Sequence, residues 1–334
     1  MTLVLGVETS CDETAIAIVE DAFVVRSNLI ASQVDLHGKF GGVVPEVAAR
    51  AHVEALTPLT EQALDEAGVR FGDLDGVAVT VGPGLVGALL VGIAAAKSIA
   101  IGTGAPLIGV NHLEGHVWAN FLVHGPPEPP YVALIVSGGH TMIVHMPDDH
   151  RFEVLGQTVD DAAGEAFDKV ARLLGLGFPG GPAVDVLARE GNPDAVRFPR
   201  AMADSLDFSM SGLKTAVLRH VKAEQAAGRE IDSADLAASF QEAIVDVQVT
   251  KTIRAATERG VGTVLLGGGV VANSRLRERI EADGTGAGLR VLFPPIELCT
   301  DNGAMIASAG AHRLARGERT SLDVGADPNL KLAS

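Results

Sequence analysis

The sequence predicts an α/β protein of two lobes, each built around a strand–turn–strand unit. With 334 residues the chain is long enough for two domains that each bury a core. Apolar strand-like runs alternate with helical patterns along the chain, which favours sheets covered by helices. The opening unit, residues 3–19, returns at residues 131–146, and this repetition indicates a duplicated fold.

The remaining elements follow the same alternation. In the first half the sequence predicts helices over 45–67, 85–101 and 112–122 and strands over 76–81 and 106–110. In the second half it predicts helices over 162–174, 182–190, 213–226 and 236–258, then a strand over 263–266 and a helix to 280. A proline-rich stretch at 125–130 reads as a linker.

These elements predict the domain boundaries. We expect a first lobe over residues 1–125 and a second over 131–302. The last helix, about 303–315, is expected to pack back on the first lobe, and the charged tail from Ala315 is expected to be peripheral.

Composition limits the classes of function. A net charge of −16 argues against broad nucleic-acid binding but leaves room for a local basic patch or a positively charged partner. The uncharged run 76–96 could span a bilayer by length, yet Pro83 and several glycines interrupt it. No signal peptide is visible, and Cys11 and Cys299 cannot form a disulfide framework. We therefore expect a cytoplasmic protein with no membrane segment.

Two histidines on one predicted helix form the first candidate site. His112 and His116 are four residues apart and share a helix face, so both can reach one metal ion, although two unrelated histidines would show the same spacing. Asp301, at the start of the last helix, is a candidate third ligand or simply an N-cap. Glu114 lies roughly 200° around the helix from His112, which fits a zinc-protease motif poorly.

Glycine-rich turns form a second group of candidates. Ser137, Gly138 and Gly139 are typical of a phosphate cradle or of a plain hairpin turn. The glycine run at 267–269 leads into Asn273, which could contact a nucleotide or cap the next helix.

Several acidic and basic residues are open to a binding role or to an ordinary structural one. Asp168 could accept hydrogen bonds from a ribose or an amine, and Asp185 follows a rigid loop. Lys214 could meet an anion or solvent. Asp12 and Glu13, in the first turn, could position a reacting amine.

Seven motifs follow one another along the chain: ETSCDET (8–14), HLEGH (112–116), SGGHT (137–141), DDAAGEAFDK (160–169), PGGP (179–182), SGLKT (211–215) and CTDNGA (299–304). Together they resemble the bacterial tRNA threonylcarbamoyladenosine transferase family, once labelled O-sialoglycoprotein endopeptidases. The resemblance runs from about Leu3 to Leu314. Two departures are Asn111, where many relatives have a histidine, and Met210, where phenylalanine is usual.

The resemblance implies a fold and a reaction. The fold is the two-lobed, duplicated actin/Hsp70/sugar-kinase-like (ASKHA) fold. The reaction transfers the threonylcarbamoyl group from threonylcarbamoyl-AMP to N6 of adenosine 37 in tRNAs that read codons beginning with A. The implied partners are tRNA, a paralogue of the same fold and a small P-loop ATPase.

The resemblance also implies site residues. His112, His116 and Asp301 fall on metal-ligand positions, for Fe(II) first and Zn(II) as the alternative. The implied substrate-binding residues are Ile135, Val136, Ser137, Gly138, Gly139, Asp168, Gly181, Asp185 and Asn273. Two other functions stay open: a metalloprotease, and a non-catalytic ATP-binding assembly protein of the actin-like fold.

Overall fold

In the computed structural model, residues 1–332 are described, and they divide into two units. Unit 1 comprises Met1–Pro127 and Thr300–Leu332, and unit 2 comprises Glu128–Cys299. From the sequence we expected residues 300–302 in the second lobe. They belong to unit 1 instead, because they lead directly into the last helix, which packs on the first sheet.

Unit 1 contains a five-stranded sheet of order β3-β2-β1-β4-β5. Its strands are β1 (Leu3–Glu8), β2 (Glu13–Glu20), β3 (Val24–Ser32), β4 (Gly76–Gly82) and β5 (Leu107–Asn111). The first three are antiparallel, whereas β4 and β5 run parallel to β1. Its first helices are α1 (Val34–Gly38), α2 (Pro45–Ala67), α3 (Val86–Thr103) and α4 (His112–His124).

Unit 2 repeats this topology with a sheet of order β10-β9-β6-β7-β8. Its strands are β6 (Tyr131–Val136), β7 (Thr141–Met146), β8 (Glu153–Gln157), β9 (Thr263–Gly267) and β10 (Arg290–Leu292). Its helices are α5 (Ala163–Leu174), α6 (Gly180–Ala188), α7 (Ser211–Ala226), α8 (Ser233–Arg259) and α9 (Ser274–Gly286). Again three strands are antiparallel and two are parallel to the first. The predicted two-lobed, duplicated α/β fold is confirmed.

The sequence did not predict three of the strands, β3, β8 and β10. All three lie at the edges of their sheets. β3 mixes exposed and buried residues without a clean alternation, and β10 has only three residues. Their pairing depends on the neighbouring strand rather than on an apolar pattern of their own.

The last helix, α10 (Gly303–Ala315), lies on β1 with almost no side chain between the two backbones. A Cβ atom at Gly6 would lie 2.3 Å from the carbonyl oxygen of Gly303 and 2.6 Å from the amide nitrogen of Ala307. A Cβ atom at Gly310 would lie 2.3 Å from Cβ of Ala78 in β4. Small residues thus fix the position of α10 on the sheet.

The tail after α10 is not peripheral, and that expectation is wrong. The amide of Thr320 donates to the carbonyl of Leu107 at 2.8 Å, and the amide of Gly109 donates to Oγ1 of Thr320 at 2.7 Å. The amide of Asp327 donates to the carbonyl of Val81 at 2.9 Å. The tail therefore satisfies backbone groups along the outer edge of β5, which would otherwise be open.

Among the helices within residues 1–332, α3 is long and apolar enough to cross a membrane by length and composition. Its inner side, which includes Leu89, Ile93 and Ala96, belongs to the apolar core of unit 1. A Cβ atom at Gly92 would lie 2.2 Å from Oγ1 of Thr9 in the turn after β1. One side of α3 is therefore packed inside unit 1.

We predict that Gly6→Ala lowers the free energy of unfolding by about 1–3 kcal/mol, because its methyl group must displace the backbone of α10. Gly102→Ala, near the end of α3, is the matched control: its Cβ atom meets nothing within 4 Å. The control should be neutral or more stable by about 0.4–1 kcal/mol. Urea unfolding of both variants checks this, and equal stabilities would contradict the backbone contact.

Candidate functional site

Helix α4 begins where β5 ends, and this places two histidines in its first turns. The side-chain oxygen of Asn111 accepts a hydrogen bond from the amide of Leu113 at 2.9 Å and so caps the helix. Asn111, one of the two departures from the family pattern, therefore has a structural role. His112 and His116 are both buried, with 6% and 0% of their surface exposed.

Asp301 approaches both histidines from the start of α10. Its Oδ1 atom lies 3.5 Å from Nε2 of His112 and 3.4 Å from Nε2 of His116. The capping interpretation of Asp301 is wrong, because Asn302 caps α10 by accepting a hydrogen bond from the amide of Met305 at 3.0 Å. The three predicted ligands are brought together, with their ligand atoms within 4.8 Å of one another.

The trio fits a divalent metal ion. Ligands about 2.0–2.2 Å from a tetrahedral zinc ion lie roughly 3.3–3.6 Å from one another, which matches the separations from Asp301. Within residues 1–332, neither ring nitrogen of His116 has a hydrogen-bond partner of ordinary geometry, although the ring is buried. A buried imidazole with no partner is costly, and a metal ion would supply one.

Glu8, which the sequence did not single out, orients the first histidine. Its Oε2 atom lies 3.0 Å from Nδ1 of His112 and accepts a hydrogen bond from Oγ1 of Thr80 at 2.6 Å. A carboxylate on Nδ1 favours the tautomer that leaves Nε2 available to a metal ion. The sequence signal was present: Glu8 ends a fully apolar strand at the first residue of the ETSCDET motif.

Acidic residues crowd around this centre and shift pKa values. Burial lowers the pKa of His112, but Asp301 and Glu8 outweigh it and raise that pKa to about 9. Burial raises the pKa of Glu13 to about 9, with Asp301 and Asp12 adding to the shift. Bringing a cation to the trio would relieve this repulsion, so the charge distribution also favours a metal ion.

Asp12 lies in the turn between β1 and β2, Glu13 is the first residue of β2, and both are partly exposed. The backbone of this turn is held by His52, whose Nε2 lies 3.0 Å from the carbonyl oxygen of Cys11. After burial, both carboxylates and Asp301 raise the pKa of the Cys11 thiol, which lies in the same turn. Their role in proton transfer stays a prediction.

Glu114 points away from the metal trio and ties α4 to α10. Its two carboxylate oxygens lie 3.1 Å and 2.6 Å from Nε and Nη2 of Arg313, a bidentate ion pair. Glu114 is 2% exposed. Because this carboxylate is held in a buried ion pair, it is not a base beside the metal. The zinc-protease interpretation of the motif therefore gains no support.

In unit 2 the predicted phosphate cradle is an open turn between β6 and β7. A Cβ atom at Gly138 or Gly139 would meet nothing within 4 Å. Gly164, at the start of α5, approaches the turn so closely that its Cβ atom would lie 2.8 Å from Cα of Gly138. Ile135 and Val136 end the buried strand β6, with no side-chain exposure.

The other predicted binding residues surround α6 and the start of α9. Asp168 accepts a hydrogen bond from the amide of Gly180 at 2.7 Å. The neighbouring Gly181 faces open space, since a Cβ atom there would meet nothing within 4 Å. Asp185 accepts from Oγ of Ser274 at 2.8 Å. Asn273 caps α9 through the amide of Leu276, and its amide group also donates to Oε1 of Gln241. The capping alternative for Asn273 is thus confirmed.

A cleft of about 250 Å³ opens beside these residues. The sequence did not reveal Gln241 and Ser274, which line it together with Arg189 and Arg275. Their signal is weak, because Gln241 lies on the long helix α8 and meets Asn273 only through folding.

Comparison with known proteins decides the family. A family model described as "TsaD: tRNA N6-adenosine threonylcarbamoyltransferase" matches residues 24–308. A relative from Clostridium botulinum (strain 657 / Type Ba4) with this enzyme name is 55% identical over 331 residues, covering 98% of this chain and 97% of the relative. One from Clostridium perfringens (strain SM101 / Type A) is 53% identical over 332 residues, covering 99% and 98%. The chain belongs to the tRNA N6-adenosine threonylcarbamoyltransferase family.

Solved structures share the fold of this transferase. Full-length HypF, in a phosphate- and nucleotide-bound form, superposes with a TM-score of 0.63 at 16% identity, covering 96% of this chain and 47% of HypF. Component A of (R)-2-hydroxyglutaryl-CoA dehydratase from Acidaminococcus fermentans gives 0.57 at 16% identity, covering 94% and 100%. The ROK hexokinase of Thermus thermophilus gives 0.50 at 17%, covering 95% and 100%. The predicted actin/Hsp70/sugar-kinase-like fold is confirmed.

We predict that Arg313→Met lowers the free energy of unfolding of the transferase by about 3–5 kcal/mol, because Glu114 then stays buried without its partner. The loss should shrink at low pH, where a protonated Glu114 carries no charge. Arg229→Met, which removes an exposed bidentate pair with Glu224, is the control and should leave the free energy of unfolding nearly unchanged. Urea unfolding at two pH values checks this. Equal losses of unfolding free energy in both variants would contradict a stabilising role for the buried Glu114–Arg313 pair.

We also predict that metal affinity rises with pH up to about 9. The pKa of His112 is raised to about 9, so below that value the metal-free ring carries a proton that metal binding must expel. If one proton is released, affinity increases roughly tenfold per pH unit between about 7 and 9. Zinc or cobalt titration of the metal-free transferase checks this, and an affinity that does not vary with pH would contradict the charged state of His112.

Proposed function

We propose that this transferase moves the threonylcarbamoyl group from threonylcarbamoyl-AMP to N6 of adenosine 37 in tRNAs that read codons beginning with A. Family membership supports the transferase class. The observation that carries metal assistance is the convergence of Asp301 on two buried histidines, one of which has no other hydrogen-bond partner in residues 1–332.

The metal ion would be held by His112, His116 and Asp301, with Glu8 fixing the first imidazole from behind. Two imidazoles and one carboxylate suit Fe(II), which we propose first, and also Zn(II). When bound, the ion would supply Lewis acidity to the carbamoyl group or fix the threonyl part of the donor.

The residues of unit 2 would position the adenylate part of the donor. Backbone N–H groups of Gly138 and Gly139 would receive the phosphate, because no side chain obstructs either glycine, while the amide of Ser137 donates to the carbonyl of His140 at 2.8 Å and closes the turn. Asp168 and Asp185 would accept hydrogen bonds from the ribose. The contribution of this group is proximity and orientation, because the donor already carries AMP as a good leaving group.

Asp12 or Glu13 would manage the proton of the attacking amine. The bond from N6 to the carbamoyl carbon forms while the bond to the phosphate oxygen of AMP breaks, and the N6 proton must leave. With its pKa raised to about 9, the Glu13 carboxyl carries a proton at neutral pH. To accept the N6 proton, the Glu13 carboxyl would first have to release its own.

We further propose that the transferase works in the cytoplasm with tRNA, a paralogue of the same fold and a small P-loop ATPase. The family resemblance supports these partners. The net charge of −16 also supports an arrangement in which part of the positive surface for tRNA comes from elsewhere. The metalloprotease and the non-catalytic assembly protein are less well supported, since Glu114 lies in an ion pair and an assembly protein leaves the metal trio unexplained.

The test is a reconstitution with unmodified tRNA, threonine, bicarbonate, ATP, the upstream synthase and the two expected partners. Product nucleoside is read by mass spectrometry for wild type, His116→Ala and His124→Ala, an exposed histidine at the end of α4. His116→Ala should lose the metal and at least about 100-fold in rate, because Lewis-acid stabilisation is worth several kcal/mol. His124→Ala should keep both. Absence of product with folded wild type and partners would favour the assembly protein.

A further inference from the structure

Helix α7 of this acidic chain carries a basic outer face. Its sixteen residues include Lys214, Arg219 and Lys222 but one acidic residue, Glu224. Arg219 and Lys222 are exposed, and the side chain of Lys214 is 41% exposed. In a chain with a net charge of −16, such a run of unopposed positive charge calls for an explanation.

The three cations lie on one side of the helix. At about 100° per residue, Lys214, Arg219 and Lys222 fall within an arc of roughly 140°. The opposite side is buried against the core of unit 2 through Leu213, Val217 and Val221. Glu224 points away from the basic side and binds Arg229 with both carboxylate oxygens. No carboxylate of α7 therefore neutralises this face.

Two of the cations also have no partner from other elements. Within residues 1–332, the side chains of Arg219 and Lys222 make no ion pair and no hydrogen bond, while Lys214 lies 3.6 Å from Asp161. The arginines of α9 behave differently, since Arg275 and Arg279 both bind Glu242. Arg219 and Lys222 are thus positive charges that the fold itself does not use.

We propose that the α7 face of Lys214, Arg219 and Lys222 binds the phosphate backbone of the substrate tRNA; this inference rests on the proposed function. The rise from Lys214 to Lys222 is about 12 Å, enough to follow several phosphates that are spaced by roughly 3.4 Å of helix axis per strand. The N-terminus of α7 contributes nothing to this face, because the carboxylate of Asp160 accepts hydrogen bonds from the amides of Met210 and Ser211.

The chemistry of the face favours RNA over a protein partner. A protein interface needs a desolvated apolar centre, whereas Leu218 is the only large hydrophobic side chain exposed on α7 among the described residues. Phosphate contacts need no such centre and are made chiefly by Arg and Lys.

The test is the double variant Arg219→Glu/Lys222→Glu in the reconstituted enzyme with its partners. The matched control is Arg290→Glu/Lys331→Glu, which makes the same charge change at exposed residues outside α7. Product formation is measured against tRNA concentration at several salt concentrations, and binding of labelled tRNA to the assembled enzyme is measured in parallel. Metal content and melting temperature of each variant are checked.

We expect the α7 variant to raise the KM for tRNA at least about tenfold near 50 mM salt, with kcat, metal content and melting temperature unchanged. The slope of log affinity against log salt should become shallower by roughly 1.5–2, as expected for two lost phosphate contacts. The control should match wild type.

Three results overturn the assignment: an unchanged KM and salt slope, a control variant that is equally impaired, or a loss of activity with unchanged tRNA affinity, which would assign the face to a protein partner. If wild type forms no product, the proposed reaction fails. In that case the measured binding of labelled tRNA still decides whether α7 contacts tRNA.

Discussion

The direct backbone contact between α10 and β1 is the constraint on which the metal trio depends. Because Gly6 and Gly303 carry no side chains, the helix can lie close enough on the sheet for Asp301 to reach the two histidines of α4. The ion pair between Glu114 and Arg313 is a second contact, and it links α4 to α10 away from the trio. The ligand geometry is therefore a property of helix packing rather than of a flexible loop.

The same contact explains the order of elements along the chain. Unit 1 is built from both ends of the sequence, and unit 2 is inserted between α4 and α10. The two sheets repeat one topology, but the candidate residues lie on different parts of the two units. In unit 1 they lie at the starts of α4 and α10, and in unit 2 they include open glycine turns. In our proposal, one duplicated scaffold thus holds a cation in unit 1 and a phosphate group in unit 2.

Much of the fold was predictable because buried parallel strands are nearly continuous apolar runs, as in β1, β4 and β6. The histidine pair was predictable because an i, i+4 spacing defines a helix face. For Asp301 the sequence left a metal ligand and a helix cap open, and the resemblance favoured the ligand. Only the structure shows that Asn302 is the cap.

Other features were beyond the sequence for physical reasons. Edge strands and the tail obtain their hydrogen bonds from neighbours distant in sequence. Their own composition therefore resembles that of a loop. Glu8 acts through His112, and a buried carboxylate has no signature until its partner is known. For Asn273 the sequence left two roles open, and the structure establishes the cap without testing the nucleotide contact.

The tail that follows α10 has a consequence for how the protein is made. The side-chain amide of Asn111, which caps the first histidine helix, donates to the carbonyl of Lys331, and the edge of β5 is covered by Thr320. A ribosome adds these residues only after unit 2, so the nascent chain leaves the edge of β5 uncovered while unit 2 is still being translated. A truncated polypeptide lacks Asp301 as well. An ion held by the trio would therefore be loaded only after unit 2 has been translated.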